Sequence, residues 1–414
     1  MNYTTTLNWI HSHKANGRRP SLERMHYLLD LLDNPQDKFP AVHVVGTNGK
    51  GSTTSFLQHI LTSSGYKTGT FTSPFITRFN ERIAINGEQI SDDDLVQTAQ
   101  AIKPIVESDS FQEKVGKVTE FELVTTLMFY YFAKINPVDI AVIEAGIGGT
   151  FDSTNVFVAQ AVICPSISID HQDTLGNTLA EIAGHKAGVL KPNVPFIFGK
   201  MAPEVKEVFY QKSVSLGCPT YEIDKDFFIT ENKKTFTFIQ NDFSISDISL
   251  KMLGHHQKSN AALAAMTALI LQNNFSKISR DSIKNGLENT IWAGRCELIT
   301  PNLMLDGAHN EDSIAKLIDV LKNEFSEKHI HILFAGLSRK PLDTMLEELS
   351  DFDLYVTTFN FYQAQDLSDY PEKYQKIPDY KKWLQQAEQN PNDMFVVTGS
   401  LYFISEVRNY LLNQ

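Results

Sequence analysis

The stretch Ala41-Val42-His43-Val44-Val45-Gly46-Thr47-Asn48-Gly49-Lys50-Gly51-Ser52-Thr53-Thr54 decides the fold. A β-branched apolar run meets a glycine-rich turn, then a lysine and a cluster of hydroxyls, and a helical pattern continues from Ser55. That order reads as strand, phosphate cradle, helix. Glycines let the backbone wrap an anion with its N–H groups pointing inward, and the helix N-terminus adds positive potential. Lys50 places a point charge on the terminal phosphates of a nucleotide, and Ser52 or Thr53 offers a hydroxyl to Mg²⁺. The usual phosphate loop has glycine where Val44 stands and a hydroxyl where Gly51 stands, so this is a variant. The alternative is a glycine turn with no ligand.

Working outward, the same alternation repeats. Thr68 to Thr72 reads as a strand ending at Ser73-Pro74-Phe75. Asp139 to Glu144 and Ala161 to Ile169 read as buried strands, followed by Gly146-Ile147-Gly148-Gly149 and by Asp170-His171. Helices are expected after Ser91, Thr119 and Thr178, each a good N-cap, and Gly65 suits the end of the helix that follows the phosphate loop. Strands alternating with helices imply an α/β fold, a mostly parallel sheet with helices on both faces. In such sheets ligands bind at the carboxyl ends of strands. Ser52, Ser73, Glu144 and His171 all fall there. Tyr221 to Leu250 alternates instead and reads as antiparallel hairpins. A second, smaller α/β domain restarts with strands at 303–305, 329–334, 354–357 and 394–398. The expected domains are 1–299 and 300–414.

Composition bounds the rest. At 414 residues the chain exceeds what one core usually supports. A net charge of -12 disfavours a nucleic-acid role resting on bulk charge. Cys164, Cys218 and Cys296 show no metal-type spacing and suggest a reducing compartment. No apolar leader stands at the N-terminus and no window reaches the length of a membrane span, so the expectation is a cytoplasmic protein with no membrane partner.

Several residues carry chemistry. Glu144 ends an apolar strand, where a carboxylate is costly unless it is paired or binds metal. A salt bridge and Mg²⁺ ligation are both open for it. His171 is either structural or a ligand, although imidazole is an unusual partner for Mg²⁺. Lys186, in Gly184-His185-Lys186-Ala187-Gly188, is either a solvated lysine or part of the site. Arg295, after Trp292-Ala293-Gly294, is a candidate phosphate clamp. Asp306-Gly307-Ala308-His309-Asn310 ends the first strand of the second domain, and its plain reading is a turn with a helix N-cap. Together these outline an ATP-using enzyme whose reaction type stays open at this level.

With those motifs in place, the chain resembles the folylpolyglutamate synthase/dihydrofolate synthase family of the Mur ligase superfamily over essentially its whole length. The resemblance rests on Gly46 to Ser52, on Thr72 to Phe75 with Arg78 to Ile83, and on Glu144 to Gly149 with Asp152 to Asn155. It continues through Asp170-His171-Gln172, His185 to Gly188, Asp306 to Asn310 and Thr398-Gly399-Ser400-Leu401-Tyr402. It implies an ATP-dependent ligase that joins L-glutamate to the γ-carboxyl of a reduced folate through an acyl phosphate. ATP would be bound by Asn48, Gly49, Lys50, Gly51, Ser52, Asn260, Arg295 and Asp306. Two Mg²⁺ ions would be held by Ser52, Ser73, Glu144, His171 and Lys186, the lysine as an N6-carbamate. Phe75, Arg82, Asp152, His309 and Ser400 would meet substrate, and Lys50, Lys186 and His309 would be catalytic. A monomer is implied as well. Bifunctional relatives that also make dihydrofolate commonly show His after Ser-Pro and an Arg-Leu-Asp-Ala-Thr-Asn run. Phe75 and Thr150-Phe151-Asp152-Ser153-Thr154-Asn155 stand at those places. The implied activity is therefore polyglutamylation alone, with the bifunctional synthase as the alternative.

Overall fold

The computed structural model describes residues 1–14, 21–232, 234–340 and 342–413. Two compact units emerge. The first holds 1–75, 80–249 and 259–290; the second holds 76–79, 250–258 and 291–414.

The first unit is built on an eight-stranded sheet. Its strands are β1 (Ala41–Val44), β2 (Thr68–Phe71), β3 (Ile83–Ile85), β4 (Glu88–Gln89), β5 (Ile140–Glu144), β6 (Ala161–Cys164), β7 (Phe196–Phe198) and β8 (Thr220–Glu222). The order is β4-β3-β2-β5-β1-β6-β7-β8. Pairing from β2 through to β8 is parallel, and the β2–β3 and β3–β4 pairs at the edge are antiparallel. The central strands β1, β5 and β6 are buried along their whole length, as β-branched runs covered on both faces should be. A separate three-stranded antiparallel sheet of β9 (Phe228–Glu231), β10 (Phe236–Gln240) and β11 (Phe243–Ile248) fills the stretch read as hairpins.

Strand β6 stops at Cys164 rather than running on to Ile169. Pro165 has no N–H for the ladder, so the chain leaves the sheet there. The helix Lys50–Ser63 follows β1 and ends as the sequence suggested. Gly65 takes a left-handed φ of 79°, its N–H bonds Thr62 O, and the Tyr66 N–H bonds Leu61 O. On its outer side this helix meets the helix Arg280–Asn289 backbone to backbone at Gly286. A Cβ there would lie 2.5 Å from Ile60 Cα.

The second unit has a six-stranded sheet of β12 (Glu297–Thr300), β13 (Leu303–Leu305), β14 (Ile330–Phe334), β15 (Asp353–Val356), β16 (Gln375–Lys376) and β17 (Met394–Thr398). Its order is β12-β13-β17-β14-β15-β16, parallel except for the β12–β13 pair. The longest segment of the second unit starts at 291 and includes β12, which pairs with β13; the sequence-based expectation is a division at 299/300. Arg408 donates from Nη1 to Thr77 Oγ1 at 2.7 Å, tying the early segment 76–79 to the last helix, Leu401–Leu412. Among the described residues no helix is long and apolar enough to cross a membrane. Cys164, Cys218 and Cys296 are free thiols, all buried.

Candidate functional site

The strand order of the first unit decides what meets at its carboxyl edge. Residues 46–52 follow β1, Ser73 lies just past β2, Glu144 is the last residue of β5, and 165–171 follow β6. Val44 stands opposite Glu144 on one side and Ile163 on the other, so these loops leave the sheet at one level.

The phosphate loop is braced from the β6 side. The Thr47 N–H donates to Ser166 O at 2.8 Å and the Asn48 N–H to Ser166 Oγ at 3.1 Å. The Ser168 N–H donates to Thr47 Oγ1 at 3.1 Å, and Asn48 Nδ2 reaches Ser168 Oγ at 3.3 Å. Gly49 must be glycine. Its φ is 84°, and a Cβ there would lie 2.7 Å from Asn260 Oδ1. The helix that starts at Lys50 has no side-chain cap, which leaves its first turn suited to an anion.

Two amines and a carboxylate lie at this loop. Lys50 Nζ donates to Thr47 O at 3.1 Å and stands 3.8 Å from Glu144 Oε1. Lys186 is 4% exposed, and its Nζ donates to Gly46 O at 2.7 Å. The solvated reading of Lys186 is thereby excluded. Burial, and then the charge on Lys50, pull its pKa down to about 7. Glu144 satisfies the paired reading through Lys50, and its oxygens remain hard donors of the kind Mg²⁺ prefers. Ser52 beside it is also buried.

The loop after β5 is held against the Lys186 helix, Leu179–Ala187. The Thr150 N–H donates to His185 O at 2.8 Å. A Cβ on Gly188 would fall 1.9 Å from Thr150 Oγ1, so no larger residue allows this approach. Asp152, expected at the substrate, also braces its own loop. Its carboxylate accepts from the N–H groups of Ile147 at 2.9 Å and Thr154 at 3.0 Å, and from Thr154 Oγ1 at 2.6 Å. Burial raises its pKa despite these bonds. His43 Nε2 lies 2.8 Å from the same Thr154 hydroxyl, and burial pulls its pKa down to about 3, so the imidazole is neutral. His171 has a left-handed φ of 53° and its ring is partly exposed, with Nε2 4.0 Å from Asp170 Oδ2. Across the sheet edge, the Arg82 guanidinium lies 5.3 Å from the centre of the Phe75 ring.

The second unit carries its own constellation, also at strand carboxyl ends. β13 and β17 are neighbours. The Asp306 N–H donates to Val397 O at 3.0 Å and the Gly399 N–H to Ala308 O at 3.1 Å, so 306–310 and 399–400 lie side by side. Asp306 accepts from the backbone N–H groups of Cys296 at 2.8 Å and Ala308 at 2.9 Å. The helix N-cap of the plain reading is present in this stretch and is supplied by Asn310, which caps the helix Glu311–Glu324. A Cβ on Gly307 would lie 2.9 Å from Arg295 Nη1, so the guanidinium passes directly over that glycine. His309 Nδ1 is 2.8 Å from Gly307 O, and Ser400 caps the helix Leu401–Leu412.

Sequence reasoning passed over Ser166, Ser168, Thr154, His43 and Cys296. Pro165 between two short runs was the available signal for the first pair. The others act through neighbours distant in sequence.

Comparison with known proteins agrees with this layout. The Mur ligase middle domain matches residues 44–268, and the Mur ligase glutamate ligase domain matches 294–401. The dihydrofolate synthase/folylpolyglutamate synthase of Bacillus subtilis (strain 168) is 37% identical over 99% of both chains. The chain belongs to the folylpolyglutamate synthase/dihydrofolate synthase family of Mur ligases. The Lacticaseibacillus casei folylpolyglutamate synthase is 36% identical over 100% of this chain and 99% of its own. A solved folylpolyglutamate synthase in complex with AMPPCP and folate superposes with a TM-score of 0.88, at 34% identity and over 100% of both chains. As a member of this family the chain is an ATP-dependent ligase, with the α/β architecture its sequence implied.

Proposed function

We propose that the enzyme adds L-glutamate to the γ-carboxyl of tetrahydrofolate and its polyglutamates, releasing ADP and phosphate. The observation that carries this reading is the pairing of Lys50 with Glu144 at a loop whose carbonyl also holds the buried amine of Lys186. One cation at the phosphates, one hard carboxylate, and one lysine poised near neutrality form a set suited to phosphoryl transfer onto a carboxylate.

A carboxylate is a poor acyl donor. Its oxygen attacks the terminal phosphorus of ATP, the bond to the bridging oxygen breaks, and ADP leaves. The product is an acyl phosphate. Asn48 to Ser52 hold the phosphates through backbone N–H groups, and Lys50 offsets charge on the transferring group. The neutral amine of glutamate then attacks the acyl carbon, and phosphate departs with the electron pair of the C–O bond. His309, whose Nδ1 lies 2.8 Å from the Gly307 carbonyl oxygen, is the base assigned to take the amine proton. Asn260, Arg295 and Asp306 are each assigned to the nucleotide, and His309 and Ser400 to the glutamate. Phe75 and Arg82 are assigned to the folate.

Mg²⁺ would be held by Ser52, Ser73, Glu144 and His171. Lys186 fits the N6-carbamate because an amine with a pKa of about 7 is largely nucleophilic toward CO₂ at neutral pH, and the product is an anionic oxygen donor. When bound, the ions supply charge neutralisation during phosphoryl transfer. A monomer in the reducing cytoplasm completes the reading.

ATP turnover assayed against tetrahydrofolate, its polyglutamates and dihydropteroate tests it. Folate-dependent release of ADP with little response to dihydropteroate is expected, and Lys50→Ala abolishes it with the fold intact. Dihydrofolate formed at a comparable rate would make the enzyme bifunctional. Near-normal turnover by Lys50→Ala would refute the loop assignment.

A further inference from the structure

The second unit carries a cluster at the opposite edge of its sheet from Asp306 and Ser400. His329 immediately precedes β14, and His331 lies two residues on, so both side chains share one face of the strand. Asp353 opens β15 directly opposite His331, and Asp393 immediately precedes β17 on the other side. Four titratable groups from three adjacent strands therefore meet at the amino ends of those strands.

Their atoms are arranged as ligands and support. Asp353 Oδ2 is 2.7 Å from His329 Nε2 and 3.5 Å from His331 Nδ1. These three donor atoms all lie within 4.8 Å of one another. A tetrahedral Zn²⁺ with bonds of about 2.0–2.1 Å spaces its ligand atoms about 3.3 Å apart, so small side-chain rotations are enough. The second nitrogen of His331 is already taken: Nε2 lies 3.1 Å from Asp393 Oδ2. That is the carboxylate–imidazole–metal arrangement, in which the outer carboxylate fixes the tautomer and aims the ring. The His331 ring is further fixed by stacking on Phe395, with centroids 4.7 Å apart and planes 20° apart. His329 and Asp353 are exposed, which leaves an ion a route in from solvent and a coordination position for water.

We propose that His329, His331 and Asp353 form a site for Zn²⁺ or a similar borderline divalent cation, with Asp393 as the outer-shell partner that orients His331. Two imidazoles select against Mg²⁺, so this site is chemically distinct from the one proposed at Glu144. The ion joins β14 to β15 directly and reaches β17 through Asp393. Its role is structural, because the chemistry of this enzyme lies at the other ends of these strands. The competing account is a set of imidazole–carboxylate pairs with no affinity for metal.

Co²⁺ decides between them. The full-length protein, stripped with chelator and held in excess Mg²⁺ to occupy the hard-oxygen site, is titrated with Co²⁺ and then with Zn²⁺. One equivalent of Co²⁺ with a visible tetrahedral absorption, displaced by Zn²⁺, is expected. His329→Gln and Asp353→Asn, both at exposed positions, each abolish the band, whereas Asp393→Asn keeps it with metal affinity weakened about 10–100-fold. Glu144→Ala leaves it unchanged. A band that survives in His329→Gln and Asp353→Asn, or no tetrahedral band at stoichiometric Co²⁺, overturns the site.

Discussion

Replacing Lys186 by methionine should make the metal-free protein more stable at neutral pH while removing its activity. Lys186 is buried and its amine is held near pKa 7, against 10.5 for a free lysine. The folded state therefore binds that proton about 3.5 powers of ten more weakly than the unfolded chain, which amounts to roughly 5 kcal/mol. The sign follows from linkage. Above about pH 10.5 the amine is neutral in both states and costs nothing on this account. As pH falls the unfolded chain takes up the proton first, and stability is lost until about pH 7, below which the cost is constant. At pH 7 itself the cost is about 4 kcal/mol. Methionine keeps the length of the stem but forfeits the bond to Gly46 O, worth roughly 1 kcal/mol, so a net gain of about 3 kcal/mol is expected. The assay is denaturant unfolding read by amide exchange in β1 and β5, in CO₂-free buffer with chelator. Comparing variant with wild type at each pH cancels the other titrating groups. A difference that does not shrink between about pH 7 and pH 10, or a variant less stable than wild type at neutral pH, would refute the reasoning.

Other substitutions probe the scaffold around that lysine. Gly49→Ala forces a left-handed residue at a cost of roughly 1–2 kcal/mol and drives its Cβ into Asn260; nucleotide affinity should fall sharply, and unchanged affinity by titration would contradict the cradle. Thr154→Val strands Asp152 and His43 in the core and should cost about 2–4 kcal/mol in unfolding experiments, whereas Thr154→Ser restores most of it. Gly286→Ala must push two helix backbones apart, at about 1–3 kcal/mol, and a variant with wild-type thermal stability would show that the contact is looser than described.

The parallel core was legible because it depends on local pattern. Ala41–Val44, Ile140–Glu144 and Ala161–Cys164 are runs that only a doubly covered strand can accommodate. Asn86-Gly87, with φ of 53° and 84°, forms the β3–β4 turn with the residue pair such a turn favours. The site was legible where a residue follows from its strand, as Glu144 does. It was not where tertiary packing chooses. Whether Lys186 faces solvent or Gly46 depends on which side of its helix meets the sheet. Asp152 and Asp306 each accept from nearby backbone N–H groups, a use that loop conformation alone reveals. Which unit β12 joins was not legible, because it is a short, half-exposed strand whose partner decides its allegiance.

The segment 76–79 has a consequence for synthesis. It belongs to the second unit, but 331 residues separate Thr77 from its partner Arg408. On the ribosome it emerges early and waits, with 250–258, until nearly the last helix is made. The first unit can close its sheet around β1 while those two excursions hang outside it. The second unit cannot be completed until the helix Leu401–Leu412 has been made. A cut at 299 leaves the first unit whole but takes 76–79, 250–258 and most of β12 from the second, so the fragment after the cut should not behave as a module that can be exchanged between enzymes.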